Sequence, residues 1–286
     1  WLDLDHQEFV IVATALALIT KEIALTLPAM LTLAELCFFP GKERRLRWLG
    51  PYWLVVLGIA APVLTGGIAA AQGRAAGGRS ADLAALPHLD YVLTELRVVA
   101  TYLRLLVWPA QQNLLYDYPI YRSLADPAVF SSLLLHSGIW GAALFLFLRY
   151  RGPAPEARVV FFGVGWFYLA LSVESGAVPI VDVIFEHRLY YPSCGFFLAV
   201  AAGVGWALGS LSERERLALA GAVAAIVVAL AVATWRRNVV WQDELNLWQD
   251  VAEKSPNLPM GHDQTATFLL ERGREEEGEA ALRRAL

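Results

Sequence analysis

The run from Leu217 to Thr234 (LALAGAVAAIVVALAVAT) contains no charged residue, and that limits what the chain can become. A helix needs about 20 apolar residues to cross the hydrocarbon core of a bilayer. A helix apolar on every side is either a membrane span or wholly enclosed by protein. Tyr52–Gln72, Val129–Leu148, Val159–Val173 and Phe196–Leu211 are apolar runs of the same kind. With 57% hydrophobic and 17% charged residues over a length of 286, the chain reads as an all-α, polytopic transmembrane helical bundle.

The polar turns between these runs suggest a topology. Gly41–Arg47 (GKERRLR), Arg149–Arg158 (RYRGPAPEAR) and Ser212–Arg216 (SERER) carry the Lys and Arg that mark cytoplasmic loops. That places the stretch around Pro179–Gly195 and the C-terminal tail outside. Arg236 and Arg237, just after the last run, go against the trend. Glu8–Phe39 is interrupted in its middle by Thr20-Lys21-Glu22, so two short helices meeting in a hairpin at Lys21-Glu22 are expected. Tyr91–Trp108 is amphipathic instead. Val92, Leu96, Val99, Leu103 and Leu106 line one face, and Thr94, Arg97, Thr101 and Arg104 the other, as in a helix lying along the membrane surface. Pro109 ends it, and Gln111–Pro127 follows as an aromatic, polar loop with His88 in the loop before.

Pro179–Gly195 (PIVDVIFEHRLYYPSCG) reads as a loop that packs Asp182, Glu186, His187, Arg188 and two tyrosines between apolar runs. Ionisable groups held against a bilayer are costly and mark function by default. The bland alternative is a Glu186–Arg188 pair that only holds the loop. His136 sits mid-run, as a packed or hydrogen-bonded core residue would. Cys37 and Cys194 lie in or beside apolar runs and imply no disulfide framework. No His/Cys/Asp cluster has metal-ligand spacing, no phosphate-binding or dinucleotide fingerprint is present, and a net charge of −4 with no basic block gives no sign of nucleic acid.

From Asp243 the chain turns polar and helical. Pro256, Ala266, Leu269, Gly273, Gly278, Leu282 and Ala285 fit a tetratricopeptide register of about 34 residues, with His262 in place of Trp and Gly278 in place of Ala. One repeat cannot bury its apolar face alone, so further repeats are expected to follow. An ordinary helical hairpin is the alternative. The division expected is a transmembrane domain over 1–235 and an external junction with the start of repeats over 236–286.

Several stretches together resemble one family, the tetratricopeptide-bearing membrane glycosyltransferases, bacterial relatives of the transmembrane-TPR O-mannosyltransferases. They are ALITKEIALTLPAMLTLAEL, YVLTELRVVATYLRLLVWPAQQNLLYDYP, VPIVDVIFEHRLYYPSCG and TWRRNVVWQDELNLWQDVAEKSPN. The resemblance implies a GT-C fold and a sugar moved from a polyprenyl-phosphate carrier to an acceptor, probably a protein hydroxyl, outside the cytoplasm. It also implies a catalytic carboxylate in an external loop upstream of Trp1, so that earlier sequence is expected. No tightly bound cofactor is implied; membrane lipid, the lipid-linked sugar and an acceptor protein gripped by the repeats are the partners. The Ala-, Arg- and Gly-rich usage fits a bacterium and its inner membrane, with the repeats on the periplasmic side.

Such chemistry needs a phosphate clamp, a base for the acceptor hydroxyl and a shape for the sugar. Lys21, Arg188 and Arg97 are the residues expected at the lipid phosphate, Lys21 with the alternative of a snorkelling partner to Glu22. Glu186 and His187 are the expected catalytic pair, His187 donating to the phosphate or relaying a proton and Glu186 orienting either His187 or Arg188. Glu22, Glu95, Tyr116, Asp117 and Tyr190 are the expected substrate contacts. Glu95 and Arg97 close the site from above or else form a solvated helix face. Two rivals stay open: a non-catalytic membrane-anchored scaffold, and a transporter with Lys21-Glu22 at a broken helix.

Overall fold

The computed structural model describes residues 12–18, 20–39, 41, 49–62, 86–173, 175, 183–209 and 211–286. The GKERRLR turn beyond Gly41, the end of the Tyr52–Gln72 run, Asp182, the upstream half of the central stretch and the side chain of Glu22 lie outside what is described. Among the described residues all regular structure is helical. After a helical stretch at 12–18 come α1 (Leu27–Phe38), α2 (Gly50–Pro62), α3 (His88–Val107), α4 (Pro127–Tyr150), α5 (Pro155–Leu171), α6 (Tyr190–Leu208), α7 (Glu213–Val240), α8 (Glu244–Lys254), α9 (Pro259–Glu271) and α10 (Glu275–Ala285). Three helical segments are long and apolar enough to cross a bilayer, Pro127–Tyr150, Glu186–Leu208 and Glu213–Val240, and the chain is a membrane protein.

Helix boundaries follow local chemistry. Lys21 is extended (φ −155°, ψ 136°), which breaks the first helix where the sequence placed a break, and a 3-10 turn at Glu22–Thr26 leads into α1. Pro28, Pro127 and Pro155 each sit in a first turn, where a missing N–H costs nothing. Asp126 caps α4 by accepting from the Ala128 amide at 2.8 Å. Ser212 and Glu215 form a reciprocal capping box at the start of α7. The central stretch departs from expectation, being helical from Glu186 rather than a loop to Gly195. Pro192 falls in the first turn of α6, where proline is tolerated.

The chain divides into two compact units. The first takes residues up to Leu106, Ile120–Val183 and His187–Trp206. In it Leu33 and Cys37 of α1 and Phe147 of α4 form a cluster, with Phe161, Phe162 and Leu169 of α5 packed against it. The rings of Phe147 on α4 and Phe161 on α5 stack at 4.6 Å. Helices α5 and α6 meet glycine on glycine: a Cβ at Gly163 would fall 2.5 Å from the Gly195 carbonyl oxygen, and one at Gly195 2.5 Å from that of Gly163. Between lipid-facing helices there is no hydrophobic drive to associate, so this close backbone approach is itself the attraction.

The second unit takes Val107–Pro119, Ile184–Glu186 and Ala207–Leu286. Leu245 of α8, Ala266 and Leu269 of α9 and Ala281 of α10 form its core, with Phe268 alongside. Gly273 takes φ +73° between α9 and α10, and its amide and that of Arg274 bond back to Leu270 and Leu269, which closes the helix end. Arg237, the cation that ran against the topology, is neutralised by Asp250 at 2.6 Å.

Candidate functional site

Helix α3 buries a strip that takes Thr94 and Thr101 from the expected polar face, while Arg97 there is half-buried and Arg104 exposed. Tyr91, Thr94, Glu95, Val98, Thr101, Tyr102 and Leu105 are enclosed, and they recur at helical spacing. Of the expected apolar stripe, Val99 is buried, while Val92, Leu96, Leu103 and Leu106 are half-buried. The polar groups on the enclosed side find partners. Thr94 Oγ1 donates to the Asp90 carbonyl at 2.8 Å and accepts from the Tyr121 amide at 3.0 Å. Thr101 donates to the Arg97 carbonyl at 3.0 Å. His136 of α4 bridges the Leu96 carbonyl and the Tyr168 hydroxyl, each at 2.9 Å, as a hydrogen-bonded core histidine.

Glu95 is the exception. It is 2% exposed, so it is no part of a solvated face, and neither carboxylate oxygen has a hydrogen bond among the described residues. Burial pushes its carboxyl up to about 8, against the opposing pull of nearby Ser175, the Arg188 guanidinium and Tyr91. Ser175 lies beside the carboxyl without completing a hydrogen bond to it, and its own buried hydroxyl has no hydrogen-bond partner among the described residues. Arg188, 8% exposed in the Glu186–Leu189 3-10 turn, supplies the positive charge. A neutral acid, a hydroxyl and a guanidinium therefore converge, with hydrogen-bonding capacity left over. Buried groups in that state call for a further partner.

A second cluster lies within the second unit. The Asn113 amide donates to Glu186 Oε1 at 2.7 Å, and the Tyr116 hydroxyl donates to the same oxygen. Glu186 thus anchors the loop after α3 instead of pairing with Arg188. Asn257 Nδ2 donates to Asp117 Oδ2 at 3.0 Å, which ties that carboxylate to the tail.

The remaining expected residues are spread out. Lys21 is exposed at the helix break, followed by the 3-10 turn that packs on α5. Arg97 is half-buried, His187 is exposed, and Tyr190 is 86% exposed. His88 belongs to the first turn of α3, not to a loop. The reading from residue types passed over Ser175, Asn113 and Ser255. Serine and asparagine are common in loops, and nothing in their local spacing sets these apart. Among the described residues no group of three or more His, Cys, Asp or Glu could hold a metal ion.

The fold and site define a helical membrane protein with a buried cluster of acid, hydroxyl and guanidinium, partly unsatisfied among the described residues. No family model matches the chain, and no solved structure matches it. Two curated proteins of Drosophila melanogaster are similar to part of it. The chain is 34% identical over 104 residues to protein O-mannosyl-transferase Tmtc2 and 35% identical over 106 residues to protein O-mannosyl-transferase Tmtc1. Each match covers 36% of this chain, but only 11% and 12% of the two relatives. The chain is thus related to these transferases over about a third of its length.

Proposed function

We propose that this chain is part of a GT-C-type membrane glycosyltransferase that moves a sugar from a polyprenyl-phosphate carrier to a protein hydroxyl on the external face. Relatedness to two protein O-mannosyl-transferases supports the reaction class. The observation that carries the assignment to a site is the Glu95–Ser175–Arg188 cluster, with an acid and a hydroxyl unsatisfied among the described residues beside a buried guanidinium. Those groups suit a sugar phosphate. A guanidinium binds phosphate oxygens with directed, charge-assisted hydrogen bonds. A neutral carboxyl and a serine hydroxyl bond sugar hydroxyls as donors and acceptors.

In the transfer, the acceptor hydroxyl attacks the sugar's anomeric carbon as the bond to the phosphate oxygen breaks. The lipid phosphate leaves with the electron pair, stabilised by Arg188 together with Lys21 and Arg97. Arginine at a leaving phosphate acts most strongly in a low-dielectric site. We assign exposed His187 the relay of the acceptor proton and Glu186 the orienting of its turn; Tyr116, Asp117, Tyr190 and Glu22 are the substrate contacts we propose. The tail's helices follow a tetratricopeptide pattern and present an open concavity of about 410 Å³ lined by Gln249, Glu253, His262, Thr265, Glu277 and Arg284, offered to the acceptor protein. A bacterial inner membrane with the tail in the periplasm is the setting we assign.

Lys21→Ala and Arg188→Ala are expected each to abolish transfer of labelled mannose from a polyprenyl-phosphate donor while the protein stays folded by circular dichroism. Full transfer by both variants would remove the phosphate clamp. The same concavity would serve a non-catalytic scaffold, which predicts acceptor binding with no transfer by the wild type.

A further inference from the structure

We propose that Ser255 is a positioning residue: it fixes the loop that holds Glu186, and so makes the C-terminal helices a working part of the transfer machinery. This rests on Glu186 serving in transfer. The loop from Gln111 to Asp117 has no regular secondary structure, so its enclosed backbone groups must find partners one by one. They find them at the end of α8. Ser255 is 2% exposed, and its hydroxyl is saturated. It donates to the Leu115 carbonyl at 3.0 Å, and accepts from Asn113 Nδ2 and from the Asp117 amide, both at 3.0 Å. One donor and two acceptor sites are all that a serine hydroxyl has.

The neighbouring residue braces the same loop. Lys254 Nζ donates to the Gln112 carbonyl at 2.7 Å, while Asp250, one turn back on α8, pairs with that ammonium at 2.6 Å. Gln111 is held at φ 60°, a conformation costly for a residue with a Cβ, which persists only where its surroundings impose it. The two loop groups that grip Glu186, the Asn113 amide and the Tyr116 hydroxyl, lie inside this braced segment. Asn113 joins the two ends of the chain of contacts, with its backbone on Glu186 and its side chain on Ser255. A serine that merely finished α8 would need one bond for that purpose, not three to a loop 138 to 142 residues away.

The test uses the full-length protein in nanodiscs, read by hydrogen–deuterium exchange and by transfer kinetics. Ser255→Ala should speed exchange of the 111–118 amides about tenfold or more, since two donors and an acceptor lose a buried partner. Exchange in α9 and α10 should not change. kcat should fall about tenfold or more with the donor KM within about twofold, and Ser255→Thr should restore most of it. Adding Asn113→Ala to Ser255→Ala should cost little further, because both cut one path. Unchanged loop exchange, or exchange rising evenly through α8–α10, would overturn the proposal, as would loosened exchange with unchanged kcat. A wild type with no transfer would sink the transferase proposal instead, and the exchange data would still decide whether Ser255 fixes the loop.

Discussion

Glu95 shows how much one side chain can say, and how little of that its neighbours in sequence reveal. The sequence marks it as one of a few acids near an amphipathic helix, where a solvated face is the ordinary outcome. Its burial, its unsatisfied oxygens and its opposed guanidinium appear only once α3 is docked, because Ser175 and Arg188 come from residues far along the chain. The carboxyl's value near 8 lies above its ordinary 4.5, so the folded state keeps a proton that the unfolded state releases between those values. Stability from this group is therefore full below pH about 4.5, falls as pH rises, and levels off above about 8. Thermal unfolding in nanodiscs should show a melting temperature that declines across that window in the wild type and stays flatter in Glu95→Gln, which cannot ionise. Parallel curves for the two proteins would mean that Glu95 is ionised throughout.

At the scale of elements, the presence of the helices was legible, while the start of α6 and the buried face of α3 were not. Apolar runs bounded by Pro and charged turns located α4, α6 and α7, and Thr20-Lys21-Glu22 located the first break. The buried strip of α3 cut across the expected faces, taking in Thr94 and Thr101 with Val99 and leaving Arg104 out, for a physical reason. An apolar stripe marks the buried side only when water lies outside; beside lipid, the apolar stripe can turn outward while polar groups turn in to find partners. Nor does a glycine declare from sequence whether it is filler or contact. Gly195 has the Gly163 carbonyl and Trp166 against it, whereas Gly203 on the same helix has open space. Gly195→Leu should therefore overpack the α5–α6 crossing and destabilise by about 1–3 kcal/mol, while Gly203→Leu should change little. Thermal denaturation of the two variants side by side checks this, and equal losses would contradict the crossing.

For the whole molecule, composition alone made the membrane class plain, and 57% hydrophobic content leaves few other options. What sequence could not show was that a loop after α3 is bonded to the end of α8, since no periodicity links residues 113 and 255. The tail's own hairpin was more legible, because Ala266, Leu269 and Gly273 recur at fixed spacing and each serves packing or a turn. Leu269→Ala should open that core and cost about 2–5 kcal/mol, visible as an earlier unfolding step of the tail by limited proteolysis; an unchanged step would mean that Leu269 packs against nothing that matters.

The central claim is that the Glu95–Arg188 cluster takes a lipid-linked sugar phosphate. The most direct measurement is a density map of the full-length protein in nanodiscs containing a polyprenyl-phosphate sugar. We predict phosphate density against Arg188 and sugar density within hydrogen-bond reach of Glu95 and Ser175, lost in Arg188→Ala. A cluster closed off by the protein's own side chains, with the lipid bound elsewhere or not at all, would contradict the account.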